Sequence, residues 1–348
     1  MAGALWLLCG AIGKIFYCRV HCSVNTAEAH ALSKLSFGVF LPFYSFQSGT
    51  PSASFSCLKE IVLESERLGY QSVWLDDHLM YGKTPILECW TTLSALASIT
   101  TSIRLGTMVT SAAFRNPALL AKMAATVDVI SNGRLELGVG AGVQKEEHLA
   151  YGFPFPKPTA RIEKLEETVE IIKKLWTEEK SSYKGKHYSI TEAVCEPKPL
   201  QKPHPPITIG GSGEKHALKV VAQHADRCDF GYLPSIELYK HKLQVLEKHC
   251  KAVGRPFSEI EKSCWPSGQI LIAKNKTELD EKLQRFKPKG VSVEDFAKYS
   301  LVGTPDKCIE KLQPYVDLGV THFMLFFGDL PDASSLSLFA KAVAKKLQ

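Results

Sequence analysis

The strongest constraint in this chain is a rhythm. From Ser36 onward, short runs rich in β-branched and aromatic residues alternate with longer segments whose apolar residues recur at helical spacing. Such repeated β–α alternation lays strands side by side in parallel and covers them with helices. The pattern predicts strands at residues 37–41, 72–75, 103–107, 135–139, 207–209, 228–232, 269–273 and 322–326. Eight parallel strands can close on themselves, so the expected fold class is α/β, a (β/α)8 TIM barrel. Helices are expected at 54–68, 88–99, 117–130, 161–176, 215–223, 237–252, 276–286 and 305–318. Asn116 before Pro117 and Thr304 before Pro305 read as N-caps, and Gly69, Gly254 and Gly319 as left-handed C-caps.

One connection breaks the rhythm. Residues 143–205, between strands 4 and 5, are far too long for a βα loop and hold a helix plus proline-rich stretches at 153–158 and 196–206. In a barrel such an insertion is expected to lie over the active-site end as a lid. The barrel is expected to occupy residues 36–348 as one domain. Residues 1–35 read as a leader outside it, because the apolar run at 4–8 is too short to span a bilayer and the first basic residue, Lys14, follows that run.

With 42 basic and 36 acidic residues the net charge is +6, and no basic stripe with interleaved aromatics is present, so a nucleic-acid partner is not expected. No membrane partner is expected either. The 10 cysteines show no CxxC pair and read as reduced thiols of a cytoplasmic protein. Cys18, His21 and Cys22 lack a fourth ligand at recognisable spacing, so no metal site is expected.

Barrel enzymes keep their chemistry at the carboxyl ends of the strands. That rule selects Pro42 and Phe43, residues 76–78, 108–111, 140–144 and 210–214, Pro234, and residues 326–329. Asp77 and His78 put an acceptor and a group that titrates near neutrality on this rim, although a rim histidine can equally be a surface residue. Gly210, Gly211, Ser212 and Gly213 form a strand–turn–helix passage whose backbone N–H groups suit an anion, or serve only as a turn. Gly140, Ala141 and Gly142 make a similar turn after strand 4. Neither has the GxGxxG spacing of a dinucleotide fold. Glu146, Glu147 and His148 are consecutive on a helix and are not expected to face one site.

The motifs Gly69-Tyr-Gln-Ser-Val-Trp-Leu-Asp-Asp-His78, Ile103-Arg-Leu-Gly-Thr-Met-Val-Thr110, Phe114-Arg-Asn-Pro117, Gly138-Val-Gly-Ala-Gly142 and Val302-Gly-Thr-Pro-Asp306 resemble the luciferase-like monooxygenase superfamily, in particular its coenzyme F420-dependent class. The resemblance covers about residues 36–348. It implies an oxidoreductase that transfers a hydride between F420 and a small organic substrate, with FMN as alternative cofactor for an oxygen-using monooxygenase and a flavin-binding protein without turnover as a further alternative. By the same resemblance, Asp77 and His78 contact the deazaflavin and His78 serves as proton partner. Met108, Val109 and Thr110 form a bulge behind its ring, at a site of non-prolyl cis peptides in relatives, and the two glycine turns approach its ring and phosphate. A homodimer packed through helices 2 and 3 is a family-level expectation. One departure stands out: sugar-phosphate dehydrogenases of this class carry a glutamate after the second glycine turn, where this chain has Val143. Sugar-phosphate oxidation is therefore not expected.

Overall fold

The predicted runs close into a barrel because each strand is apolar on its outward face and finds a parallel neighbour on both sides. The computed structural model describes residues 35–41 and 54–348. Residues 1–34 of the expected leader and the rim residues Pro42 and Phe43 lie outside the described residues. The barrel strands are β1 (Ser36–Leu41), β2 (Ser72–Leu75), β3 (Arg104–Thr107), β4 (Leu135–Gly140), β5 (Ile207–Gly210), β6 (Arg227–Asp229), β7 (Glu261–Cys264) and β8 (His322–Leu325). They run parallel in the order β3-β2-β1-β8-β7-β6-β5-β4, and β3 pairs with β4 to close the ring, Leu105 opposite Leu135. Beyond β3 the chain leaves the sheet at Met108 and Val109 and rejoins it as Thr110–Ser111, which pairs with the end of β4.

Helices α1 (Phe55–Arg67), α2 (Cys89–Ile99) and α3 (Pro117–Ile130) begin where a side chain can satisfy the first free N–H groups. Ser54 caps α1, Glu88 caps α2 and Asn116 caps α3 ahead of Pro117. Thr304, by contrast, makes no side-chain cap bond, although Pro305 does open the helix Pro305–Asp317. Gly69, Gly254 and Gly319 take φ of 84°, 72° and 82° after their helices, as C-caps require.

Strand 7 departs from the expectation. The barrel uses Glu261–Cys264, whereas Ile270–Ile272 forms a separate two-stranded parallel sheet with Leu301–Gly303. Periodicity favours the apolar run, but Glu261 is acceptable in the barrel because its carboxylate meets Arg227 of β6 at 2.5 Å. Leu271 in turn packs with Leu283, Phe286 and Phe296 in a core of its own. The helix containing Phe296, Val293–Tyr299, was not anticipated.

The insertion is only partly a lid. It contains α4 (Lys145–Ala150), α5 (Pro158–Thr177) and an antiparallel hairpin, Ser181–Lys184 with Ser189–Ala193. Helix α5 packs between α3 and the helix Ala217–His224, the place of a regular barrel helix. The hairpin is pinned alongside it: the Glu167 carboxylate accepts from the N–H groups of Lys186, His187 and Tyr188.

Inside the barrel, Trp74 is fully buried and donates its indole N–H to Ser72 Oγ at 2.8 Å. Near it, Glu136 receives the guanidinium groups of Arg104 and Arg227, so the buried charges at this end are paired. Nearer the carboxyl ends, Phe40, Met108 and Met324 form an apolar plug with Val109, Trp265 and Phe326. The plug is the floor of the cavity described next.

Candidate active site

At the carboxyl ends of the strands the described residues enclose a cavity of about 760 Å³. Most of the residues singled out in the sequence meet there: Asp77, His78, Met108, Val109, Gly140 to Gly142 and Gly210 to Gly213 all line it. Thr110 does not. Its hydroxyl accepts from the Trp90 indole N–H at 3.0 Å in the barrel wall, and Ser111 lines the cavity in its stead.

Asp77 and His78, neighbours at the end of β2, have different surroundings. Asp77 is fully engaged by Arg115, whose two Nη atoms reach its two oxygens at 2.5 and 3.0 Å. Burial pushes the Asp77 carboxyl above its ordinary range, and the Arg115 guanidinium opposes that rise. Arg115 also contacts Glu88 at 2.6 Å, the residue whose carboxylate caps α2. The fork thereby ties β2, α2 and the loop before α3 into one rigid rim. His78 instead points Nδ1 at the buried carboxylate of Glu147 on α4, at 3.0 Å. Glu147 also accepts from the N–H groups of Leu79 and Met80. A carboxylate can only accept, so the neutral ring carries its proton on Nδ1, and Nε2 is its acceptor.

The Met108–Val109 peptide is cis. Val109 then fits into the glycine turns: a Cβ at Gly140 would lie 2.6 Å from Val109 Cγ2, and one at Gly210 2.9 Å from Cγ1. These two glycines thus make room first for the bulge. At Gly142 the close neighbours are Ser111 Oγ and His148 Nε2, 2.7 and 2.9 Å from where its Cβ would be. The N–H of Gly211 is spent on the Asp229 carbonyl at 2.9 Å, which fixes the turn at residues 210–213 to β6. Burial raises the pKa of the Asp229 side chain too, while the Gly231 N–H and the Ser263 hydroxyl donate to it and work against the rise.

Glu147 and His148 correct the expectation that consecutive residues of α4 would not share a site, since both are buried and both line the cavity. Helix α4 is so short, and so close to the rim, that its two faces reach different walls. His148 packs on Phe114 and Phe155, and Phe153 packs on Phe114 in turn. Arg161 of α5 also lines the cavity, with its guanidinium 3.9 Å over the Phe155 ring. The sequence signalled Arg115 only through its motif, and gave no signal for Arg161 or Trp265. Val143 stands 78% exposed at the edge of the cavity, offering no proton-transfer group. Among the described residues no cluster of His, Cys, Asp and Glu could hold a metal ion, and no helix is long and apolar enough to cross a membrane.

A parallel eight-stranded barrel with a bulge, a histidine–carboxylate pair and glycine turns at its carboxyl end defines a cofactor-binding barrel class. The chain belongs to the luciferase-like monooxygenase family, whose profile matches residues 35–291. It is 28% identical over 324 residues to the F420-dependent glucose-6-phosphate dehydrogenase of Amycolatopsis mediterranei, covering 84% of this chain and 94% of that protein. To the enzyme of the same name from Microbacterium testaceum it is 29% identical, covering 82% and 91%. The fold is similar to that of the coenzyme F420-dependent tetrahydromethanopterin reductase from Methanopyrus kandleri, with a TM-score of 0.75 at 22% identity over 90% of this chain and 100% of that one. An F420-dependent secondary alcohol dehydrogenase gives a TM-score of 0.74 at 20% identity, over 89% and 98%.

Proposed function

We propose that this protein is an oxidoreductase that moves a hydride between the deazaflavin coenzyme F420 and a small organic substrate, with His78 as proton partner. The observation that carries the reading is one cavity wall joining the Met108–Val109 bulge, the His78–Glu147 pair and the glycine turns, in a chain whose near-full-length relatives are named F420-dependent enzymes.

The residues fit such a cofactor. A floor of Met108, Val109 and Trp265 suits a flat ring, and the volume lies in the ordinary range for cofactor pockets. His148 Nε2 and the Nε and Nη1 of Arg161 are buried without a partner among the described residues, as a hydroxylated, anionic side chain would require. When bound, the deazaflavin supplies a ring carbon that gives or takes two electrons as hydride. Met108 and Val109 would hold one face of such a ring and leave the other to the substrate. Glu147 holds His78 with Nδ1–H directed inward, so that Nε2 takes the proton of a substrate hydroxyl on oxidation and returns it on reduction. Val143 cannot share this work, so we do not extend the glucose-6-phosphate specificity of the relatives to this chain.

We place the protein in the cytoplasm, in keeping with its free thiols, and as a homodimer through α2 and α3, in keeping with the exposed Ile99, Leu119, Val129 and Ile130. Titration of the full chain with F420 and with FMN tests the central reading. Micromolar or tighter F420 binding, with FMN at least tenfold weaker, is expected; the opposite preference would make it an oxygen-dependent monooxygenase.

A further inference from the structure

Among the described residues, arginines with shielded guanidinium nitrogens are saturated at Arg115, Arg227 and Arg134, and not at Arg161. Arg115 is forked on Asp77 and Glu88, Arg227 pairs with Glu136 and Glu261, and Arg134 donates to the carbonyls of Ala97, Thr100, Ile103 and Ser131. Arg161, in the first turn of α5, has its Nε and Nη1 shielded from solvent with no acceptor among the described residues. Its guanidinium is nevertheless held in place by stacking on Phe155 at 3.9 Å. Leaving such a group desolvated and unanswered costs more than leaving it in water, and burial lowers its pKa with no carboxylate to compensate.

Phe155 also meets His148, 1% exposed, edge-on with ring centroids 5.0 Å apart. The Gln144 carbonyl, 2.7 Å from Nδ1, can only accept, so the proton of the neutral ring sits there. Nε2 is then an acceptor, and no group of the described residues donates to it. The glycine at position 142 keeps the space beside that nitrogen and Ser111 Oγ open. Among the described residues, one cavity therefore presents guanidinium donors without an acceptor and a ring acceptor without a donor, both in contact with Phe155.

We propose that Arg161 is an oxyanion subsite of this cavity, binding a phosphate or carboxylate, with His148 accepting from a hydroxyl of the same ligand. The inference rests on the deazaflavin reading, and it extends anion binding from the glycine turn to the α5 wall. The oxyanion has two sources, the side chain of the cofactor or an anionic substrate.

The test compares full-length wild type, Arg161→Gln and Arg161→Lys. Each is titrated with F420, with the phosphate-free deazaflavin nucleoside that shares its ring and ribityl chain, and, both free and F420-loaded, with inorganic phosphate. If the cofactor supplies the oxyanion, Arg161→Gln weakens F420 at least tenfold, leaves the nucleoside within twofold, and Arg161→Lys falls between. If the substrate supplies it, both deazaflavins bind as in wild type, and the thermal stabilisation of the F420-loaded protein by phosphate disappears in Arg161→Gln. Equal weakening of both deazaflavins, or wild-type behaviour toward every probe, would overturn the subsite. Should Arg161→Gln not fold, Arg161→Lys carries the comparison, because it keeps the charge and loses the fork. A wild type that binds neither deazaflavin overturns the functional reading instead, and the phosphate titration of the free protein then reads the subsite alone.

Discussion

The Glu147 carboxylate lies 3.0 Å from Nδ1 of His78, so a six-residue helix of the insertion reaches back to fix a ring at the end of the second strand. The same carboxylate holds the N–H groups of Leu79 and Met80, so it shapes the loop as well as the ring. Its consequence is a single tautomer. Nitrogen-15 NMR of His78 is expected to report Nδ1–H in the wild type and a mixture of tautomers in Glu147→Leu. That variant also leaves the Leu79 and Met80 N–H groups unanswered, at a cost of about 1–3 kcal/mol for each group left buried. A wild-type ring found with its proton on Nε2 would refute the assignment.

Val109 and the glycine turns form a steric unit. Gly140→Ala brings a Cβ to 2.6 Å from Val109 Cγ2 and is expected to destabilise the fold by about 1–3 kcal/mol in urea unfolding. Val109→Ala removes the obstructing methyl groups, so the double variant should recover most of that loss. Additive effects would show that the turn and the bulge do not share this space.

Arg115 neutralises a carboxylate that has no access to water. Arg115→Ala leaves Asp77 buried and unpaired, with an expected cost of about 3–5 kcal/mol. Arg115→Ala combined with Asp77→Asn should be more stable than Arg115→Ala alone, as measured by denaturant midpoint. A double variant less stable than the single one would mean that Asp77 does not depend on the pair.

Acid should loosen the fold through two histidines. Burial holds the His224 imidazole down at about 4 and pushes that of His322 well below its usual value. Unfolded, both take up a proton near pH 6.5, which the folded rings refuse. The stability tied to the neutral rings is complete above that pH and is lost as the pH falls towards 4. The denaturation midpoint is expected to drop between pH 7.5 and pH 5, and His224→Gln should flatten the drop by up to about 1.4 kcal/mol per pH unit. An unchanged slope in His224→Gln would exclude that ring as a contributor.

What the sequence determined by itself is the repeating frame. Period-2 and period-3.6 patterns are local, and so are the caps at Asn116 and Gly254. They suffice for seven of the eight strands at nearly their observed bounds and for the rim on which Asp77, His78 and the glycine turns fall. The tertiary structure decided whatever depends on partners distant in the chain. Glu261 can stand in the barrel only because Arg227 of the neighbouring strand meets it, and Ile270–Ile272, the better strand by pattern, is drawn off to Leu301–Gly303. Gly140 and Gly210 read as room for a ligand, yet Val109, reaching them across the bulge, fills part of that room. Glu147, His148 and Arg161 belong to an insertion whose pattern records helices and nothing of where they dock. Their roles follow from what burial placed next to them: a ring nitrogen for Glu147, and no partner among the described residues for His148 Nε2 or for the Nε and Nη1 of Arg161.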